Sequence, residues 1–472
     1  MRDLLCRSAE WRKIDGPRDA AIAIDPPPAV AQVILHRFGE WRFRPVAGVI
    51  TTPTMRPDGS LLIRPGYDEM TRLVLCDPPE MPAIPENPRR EDALAALALL
   101  DGLLDEFPFV DGGSRSVALS ALITPVVRGA FPVTPMHVIS APEAGSGKSY
   151  LLDVAAAIAI GQPCPVMAVG RTEEETEKRL GAALLSGQTI IAIDNVNGDL
   201  GGDALCQIIE RPVVEIRILE KSERIRVETR STMFATGNNI RLVADMTRRV
   251  LHCRLDPKVE RPELRQFGRR PTEAVLADRG RYVAAALTVV RSFIAAGMPW
   301  RALRLASFEG WSDLVRSALI WLGRVDPVET MKMARMDDPS QQIMAATFEA
   351  LHDAVGTNKP TTASQLIELA NAKAVTTGDA AYGGTLEGWL CPDLRSALLS
   401  VAGKDGGIDA RELGKWLSRH RDRIAAKLRL EGKSDRNGHA THWWLVRSDG
   451  SGSRMGIFSQ HASVVPREQA AP

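Results

Sequence analysis

The stretch Pro142-Glu143-Ala144-Gly145-Ser146-Gly147-Lys148-Ser149 decides the fold of this 472-residue chain. Before it runs an apolar strand, His137 to Ser140, and after it an apolar helix, Tyr150 to Ile160. A Gly-rich turn between a strand and a helix, closing on Lys-Ser, is a phosphate-binding loop. Its backbone N–H groups wrap a phosphate, Lys148 reaches the outer phosphates and the Ser149 hydroxyl holds Mg2+. The helix that starts there points its positive end at the same anion. Gly145, Ser146, Gly147, Lys148, Ser149 and Tyr150 form the expected nucleotide-binding set. Pro142 stands where such loops usually open on Gly or Ala. That position begins the turn and gives no N–H to phosphate, so a proline is expected to be tolerated there.

Working outward, Thr189-Ile-Ile-Ala-Ile193 leads into Asp194. Four apolar residues before a carboxylate read as a buried strand that ends in an acid at its C-terminal edge, where it orients the water shell of Mg2+. A third strand, Thr232 to Thr236, ends in Gly237-Asn238-Asn239. Asn238 at that tip could hydrogen-bond an attacking water or the terminal phosphate. Arg248 and Arg249 stand just before a fourth strand, Val250 to Leu255, where paired arginines could serve a neighbouring subunit's phosphate.

Bulk composition narrows the setting. Hydrophobic residues make up 44% and charged residues 25%, which is ordinary for globular protein. The net charge of +1 makes any nucleic-acid binding a matter of local patches. The six cysteines include no CxxC pair, so neither a zinc ribbon nor a disulfide framework is indicated. A charged start, no apolar run near the ~18–20 residues of a membrane span and unpaired cysteines predict a cytoplasmic protein without membrane contact. Residues 1–80 read as a small β-rich module of short strands and turns, and residues 77–90, with five prolines, as a linker. The phosphate-loop domain is placed at 91–257, a helical region at 258–336, a further module at 337–447 and a disordered tail at 448–472.

Taken together, Gly145-Ser-Gly-Lys-Ser149, Ile190-Ile-Ala-Ile-Asp194, Ala235-Thr-Gly-Asn-Asn239 and Arg248-Arg249 resemble the AAA+ ATPases. They most resemble the superfamily 3 helicases and the related phage or plasmid primase-helicases. The resemblance covers about Pro135 to Leu255. Trp311-Ser-Asp-Leu-Val-Arg316, Trp321-Leu-Gly-Arg-Val-Asp-Pro327 and Arg64-Pro-Gly-Tyr-Asp68 also look like mobile-element replication proteins. The resemblance implies an α/β fold with a mostly parallel central sheet, ATP and Mg2+ as ligands, a homo-oligomeric ring (a hexamer) and an arginine supplied in trans. It implies single-stranded or forked DNA as partner and helicase or translocase work in mobile-element replication, while the lack of a DxD or acidic cluster for a primase site makes a separate primase the expected partner. One departure stands out. Family members usually follow the strand's Asp with an acidic residue that polarises the attacking water, and here that place holds Asn195. Glu174 or Glu175, on a helix between the phosphate loop and the strand that ends in Asp194, is the expected substitute; otherwise hydrolysis is slow. A nucleotide-switched DNA-binding or loader ATPase that does not unwind is the alternative.

Two further segments point to DNA. Val213 to Leu219 and Arg224 to Val227 flank a short polar loop and read as a β-hairpin. In superfamily 3 helicases a hairpin here grips single-stranded DNA in the ring pore, which makes Lys221 and Arg224 the expected contacts. Asp409 to Leu417 is a capped amphipathic helix, and strands at Lys427–Leu430 and Thr441–Val446 follow it, a winged-helix pattern. Between Arg411 and Arg436 there are nine Lys/Arg and four Asp/Glu, a surplus of five.

Overall fold

The computed structural model describes residues 1–15, 20–37, 40, 43–217, 224–265, 267–377, 385–435 and 440–448. Its centre is a five-stranded sheet. In chain order the strands are β1 (Met136–Ala141), β2 (Val166–Ala168), β3 (Ile190–Leu200), β4 (Thr232–Leu242) and β5 (Val250–Arg254). The spatial order is β5-β1-β4-β3-β2, and every neighbouring pair is parallel. Parallel pairing requires crossovers, and these are α3 (Lys148–Ile160) between β1 and β2 and α4 (Glu173–Leu185) between β2 and β3. A short helix α5 (Asp203–Glu210) and the hairpin Val213–Arg217/Arg224–Glu228 lie between β3 and β4.

Alternate side chains of the strands feed two separate cores. Ile139, Ile190, Ala192 and Phe234 face a core shared with α1 (Arg90–Asp101), α2 (Gly112–Ile123), α3 and α6 (Arg279–Ala295). Val138, Ile191, Ile193 and Ala235 face the other core, with α4 and α5. Cover on both faces is why Ile190 to Ile193 is an unbroken apolar run and not an alternating one.

The helical region expected at 258–336 is not a separate body. Leu287, Val290, Phe293, Trp311 and Leu319 share one core with Leu97, Leu100 and Val117. Trp311 is fully buried and donates its indole N–H to Thr124 Oγ1 at 3.0 Å. Arg316 clasps Asp326 through Nε–Oδ1 at 2.9 Å and Nη2–Oδ2 at 2.5 Å. The two tryptophan motifs are thus scaffold here. The proline-rich stretch at 77–90 is packed and not a free spacer. Met81 and Ile84 lie on the core, and the Glu80 carbonyl sits where a Cβ on Gly280 would be, 1.6 Å away.

The first 80 residues hold the short strands expected, Gly48–Ile50 to Leu73–Leu75, and also two helices, Arg2–Ser8 and Pro28–His36. Pro28 sits in the first turn of the second helix, where its missing N–H costs nothing. The C-terminal unit has its own core. It comprises α7 (Pro339–Val355), α8 (Ala363–Asn371), α9 (Pro392–Ala402), α10 (Ala410–His420) and an antiparallel sheet containing the hairpin β6 (Leu428–Ser434) and β7 (Thr441–Arg447). Helix α10 precedes that hairpin, and the unit also holds α9 and the hairpin Lys373–Thr377/Thr385–Trp389, which the sequence reading did not include. Residues 449–472, expected as a disordered tail, lie outside the described residues. Among the described residues no helix is long and apolar enough to cross a membrane.

Candidate active site

Parallel strands all end at one edge of the sheet, and the phosphate loop, Asp194 and Asn238 come from those ends. The loop after β1 turns through Gly145 and Gly147, with φ of 73° and 94°. Only glycine takes such angles without cost, and at Gly147 the turn hands over directly to α3. Ser146 donates to the Glu143 carbonyl at 2.5 Å, and Lys148 Nζ donates to the same oxygen at 2.8 Å. Burial pushes the Lys148 ammonium below its ordinary pKa, against the opposing pull of the Asp194 and Glu143 carboxylates. A buried ammonium held by one carbonyl, at the N-terminus of a 13-residue helix, is suited to an anion.

Next to the loop, β4 runs between β1 and β3. Asn238 is in register with Ala141 on one side and with Asn197 on the other. Asp194 pairs with Ala168 of β2. The register of β3 against β4 slips between Ile193 and Val196, and Asn195 sits in this bulge with φ of 58°. Bulges re-aim side chains, and asparagine tolerates the left-handed region better than most residues. The Asn195 side chain is exposed.

The structure brings Ser149 and Asp194 together, with Oγ to Oδ1 at 3.3 Å. Thr236 donates its hydroxyl to the same Asp194 oxygen. A hydroxyl and a carboxylate side by side are hard oxygen donors suited to Mg2+. Asn238 Oδ1 is buried with no hydrogen-bond partner. An orphaned polar atom between the phosphate loop and Asp194 fits a group that arrives with the ligand, such as a phosphate-side water. The donor set and the glycine cradle therefore suit a nucleotide with Mg2+.

Beside the loop opens a cleft of about 450 Å3, lined by the phosphate loop, Phe107, Pro108, Phe267, Arg269 and Pro271. Phe107 stacks on Tyr150 with centroids 6.2 Å apart, and Tyr150 Oη accepts from Thr272 Oγ1 at 2.9 Å. The Glu106 carboxylate pins the far wall by accepting the N–H groups of Gly268 at 2.9 Å and Arg269 at 3.2 Å. Arg265 lies 5.1 Å from the Phe267 ring centre, with its Nη1 buried and unpartnered. Sequence reading passed over Thr236, Phe107, Phe267, Arg265 and Arg269. Thr236 had a local signal, being two residues from Asn238. The others come from remote segments and had none.

Glu174 and Glu175 stand on the first turn of α4, which follows β2 at the same sheet edge. Their contacts are local. Glu174 pairs with Lys178 at 2.7 Å, and Glu175 pairs with Arg179 at 2.5 Å and accepts the Arg171 N–H at 2.8 Å. These cations and the Arg171 N–H hold both carboxyls below their ordinary pKa. Among the described residues no contact links either to Ser149 or Asp194.

Arg248 and Arg249 precede β5 and so lie at the opposite edge of the sheet. Arg249 is 5% exposed. Its Nε donates to Glu210 at 2.9 Å and its Nη1 to the Asp245 carbonyl at 2.8 Å. Arg248 is more open, with its side chain 37% exposed, and pairs with Asp245 at 3.2 Å. Neither reaches the phosphate loop of its own chain.

The hairpin packs Val214, Ile216 and Val227 on the α4/α5 core and turns Arg217, Arg224 and Arg226 outward. Its base is held by Glu228, which pairs with Arg72 of the N-terminal module and with Arg230 at 3.0 Å. Arg224 is exposed at the last described rung, opposite Arg217. Lys221, the other expected contact, lies outside the described residues.

No family model matches the chain, and a comparison with curated proteins gives no match. Among solved structures it is similar to the A-form apo structure of the NrS-1 C-terminal region, with 10% identity and a TM-score of 0.36 over 78% of this chain and 90% of that one. A second A-form apo structure of that region shares 10% identity, with a TM-score of 0.32 over 75% and 78%. The X-ray structure of JCV helicase shares 11%, with a TM-score of 0.24 over 54% and 63%.

Proposed function

We propose that the chain is a Mg2+-dependent ATPase that works as a helicase or translocase on single-stranded or forked DNA. The observation that carries the ATPase reading is the convergence of Lys148, Ser149, Asp194 and Asn238 on one edge of an all-parallel sheet. The DNA reading rests on the charged hairpin with Arg224 and Lys221. Work in the replication of a mobile element rests on the sequence resemblance, and a separate primase on the lack of a DxD or acidic cluster in this sequence.

In this reading the loop amides and Lys148 hold the β- and γ-phosphates, while the base lies in the cleft against Phe107 and Phe267. Ser149 and Asp194 would hold Mg2+, and Thr236 fixes the orientation of Asp194. The bound ion would supply neutralisation of the charge that develops during phosphoryl transfer. Asn238 orients the water. Arg248 or Arg249 acts on a neighbouring copy in a ring, a hexamer by the same resemblance, and Arg248 is the freer of the two. Glu174 or Glu175 would have to release its partner on α4 to polarise the water.

Single-stranded DNA is expected to raise ATP turnover, and Lys148→Ala is expected to abolish both turnover and fork unwinding. Undiminished turnover by pure Lys148→Ala protein would sink the ATPase reading. The second reading is a nucleotide-switched loader. It is favoured by Asn195 in the usual acid's place and by the engaged state of Glu174 and Glu175. Slow turnover that ignores DNA would select it.

A further inference from the structure

The C-terminal unit carries a charged surface that the ATPase reading does not use. Helix α10 buries Leu413 and Leu417 in the unit's own core. On its other side Arg411, Lys415 and Arg419 recur at i, i+4 and i+8, and all three are exposed. That spacing sets them in one stripe. Beyond the helix Arg423 and Lys427 are exposed in the connection to β6, and Lys433 is exposed on β6 itself.

The carboxylates of these elements are already engaged. Glu412 pairs with Lys415 at 2.7 Å, and Asp422 pairs with Arg429 at 3.2 Å. Glu431 accepts the Trp444 indole N–H at 3.2 Å, and Asp435 lies 3.1 Å from His442. Arg411, Arg419, Arg423, Lys427 and Lys433 have no carboxylate partner among the described residues. The net positive charge of the segment is therefore concentrated on unpaired side chains. Three of the five are guanidiniums, which suit phosphate and the guanine edge.

The shape fits one partner class. α10 has 11 residues and is about 16 Å long. Its exposed side holds Ala410, Arg411, Glu412, Lys415, Ser418 and Arg419, with no large apolar anchor of the kind a protein interface needs at its centre. Trp416 is turned away and stacks on His420 at 4.1 Å. A helix of this width enters the major groove of B-form DNA, and Lys433 on the neighbouring strand β6 can reach the backbone. We propose that α10, its connection to β6 and strand β6 form a duplex-DNA-binding face, separate from the single-strand contacts of the Arg224 hairpin.

The test uses the full chain without nucleotide and a short labelled duplex, read by fluorescence anisotropy. Arg411→Ala/Arg419→Ala/Arg423→Ala is expected to weaken duplex binding about tenfold or more and to flatten its salt dependence by roughly one slope unit per lost phosphate contact. ATP turnover, its stimulation by single strands and the melting temperature should not change. The triple lysine variant should keep most of the affinity, since charge carries it. A control with alanine at Arg2, Arg7 and Arg12 should bind as wild type, which separates this face from net charge. Wild-type duplex binding by the triple alanine variant would overturn the proposal. So would an equal loss in the control, or loss of self-association with duplex binding intact.

Discussion

Thr236 is the smallest group on which the candidate site depends. Its hydroxyl bonds the Asp194 oxygen that also faces Ser149. Partners of this kind typically govern metal affinity or activity by about 10–100-fold. Thr236→Val should therefore raise the Mg2+ concentration needed for half-maximal turnover by that order, with ATP binding kept. An unchanged Mg2+ titration would remove Thr236 from the site. The paired arginines separate in the same way. Arg249 is buried against Glu210, so Arg249→Ala removes that acid's closest cation, leaving it Arg248 at 3.5 Å and the Ser307 hydroxyl, and should cost about 3 kcal/mol of stability. Arg248→Ala should leave the melting temperature near wild type and reduce turnover. The reverse pattern would move the trans role to Arg249.

At the scale of the strand, β4 passes β3 so closely that a Cβ on Gly237 would lie 2.0 Å from the Val196 carbonyl. Gly237→Ala must push the two strands apart beside Asn238 and Asp194. It should lower both stability and turnover, and a soluble variant with wild-type kinetics would contradict this. On β1, His137 is fully buried between Phe234, 5.4 Å away, and Ser120 Oγ, 2.9 Å from its Nε2. Burial pushes its pKa down from 6.5 to about 3. The neutral ring is the folded form, so its contribution is complete above pH 6.5 and is lost as pH falls toward 3. Denaturant titrations should show stability falling with acid in that window, less steeply in His137→Phe. The strands themselves were legible because burial on both faces leaves apolar runs, with Asp194 and Gly237-Asn238 marking their ends. The bulge at Asn195 was not, since register depends on the partner strand. Nor were the cleft residues Phe107 and Phe267, which lie on either side of the phosphate loop in sequence and meet only through folding. The helix Pro28–His36 was missed because the prolines before it read as turn punctuation.

For the whole molecule, the arrangement of β5 against β1 puts Arg248 and the phosphate loop at opposite edges of the sheet. If turnover needs both, one chain cannot supply it. Turnover per subunit should rise with protein concentration and level off as the ring fills. Mixing Lys148→Ala with Arg248→Ala subunits should restore part of the activity that each lacks alone, because some contacts then join an intact loop to an intact arginine. No recovery in the mixture would argue for a self-sufficient subunit. The shared core of residues 91–123 and 279–322 makes the body under that sheet one rigid block, which the motif boundaries in sequence did not convey. The grip of Arg72 on Glu228 has a mechanical meaning. The hairpin is clamped at its root by a module that precedes the phosphate loop by more than half a hundred residues in sequence. If the proposed ATPase moves the hairpin, this ion pair must either break or carry the N-terminal module along as a lever, and in the second case the step size is set by the lever arm and not by the reach of the hairpin alone.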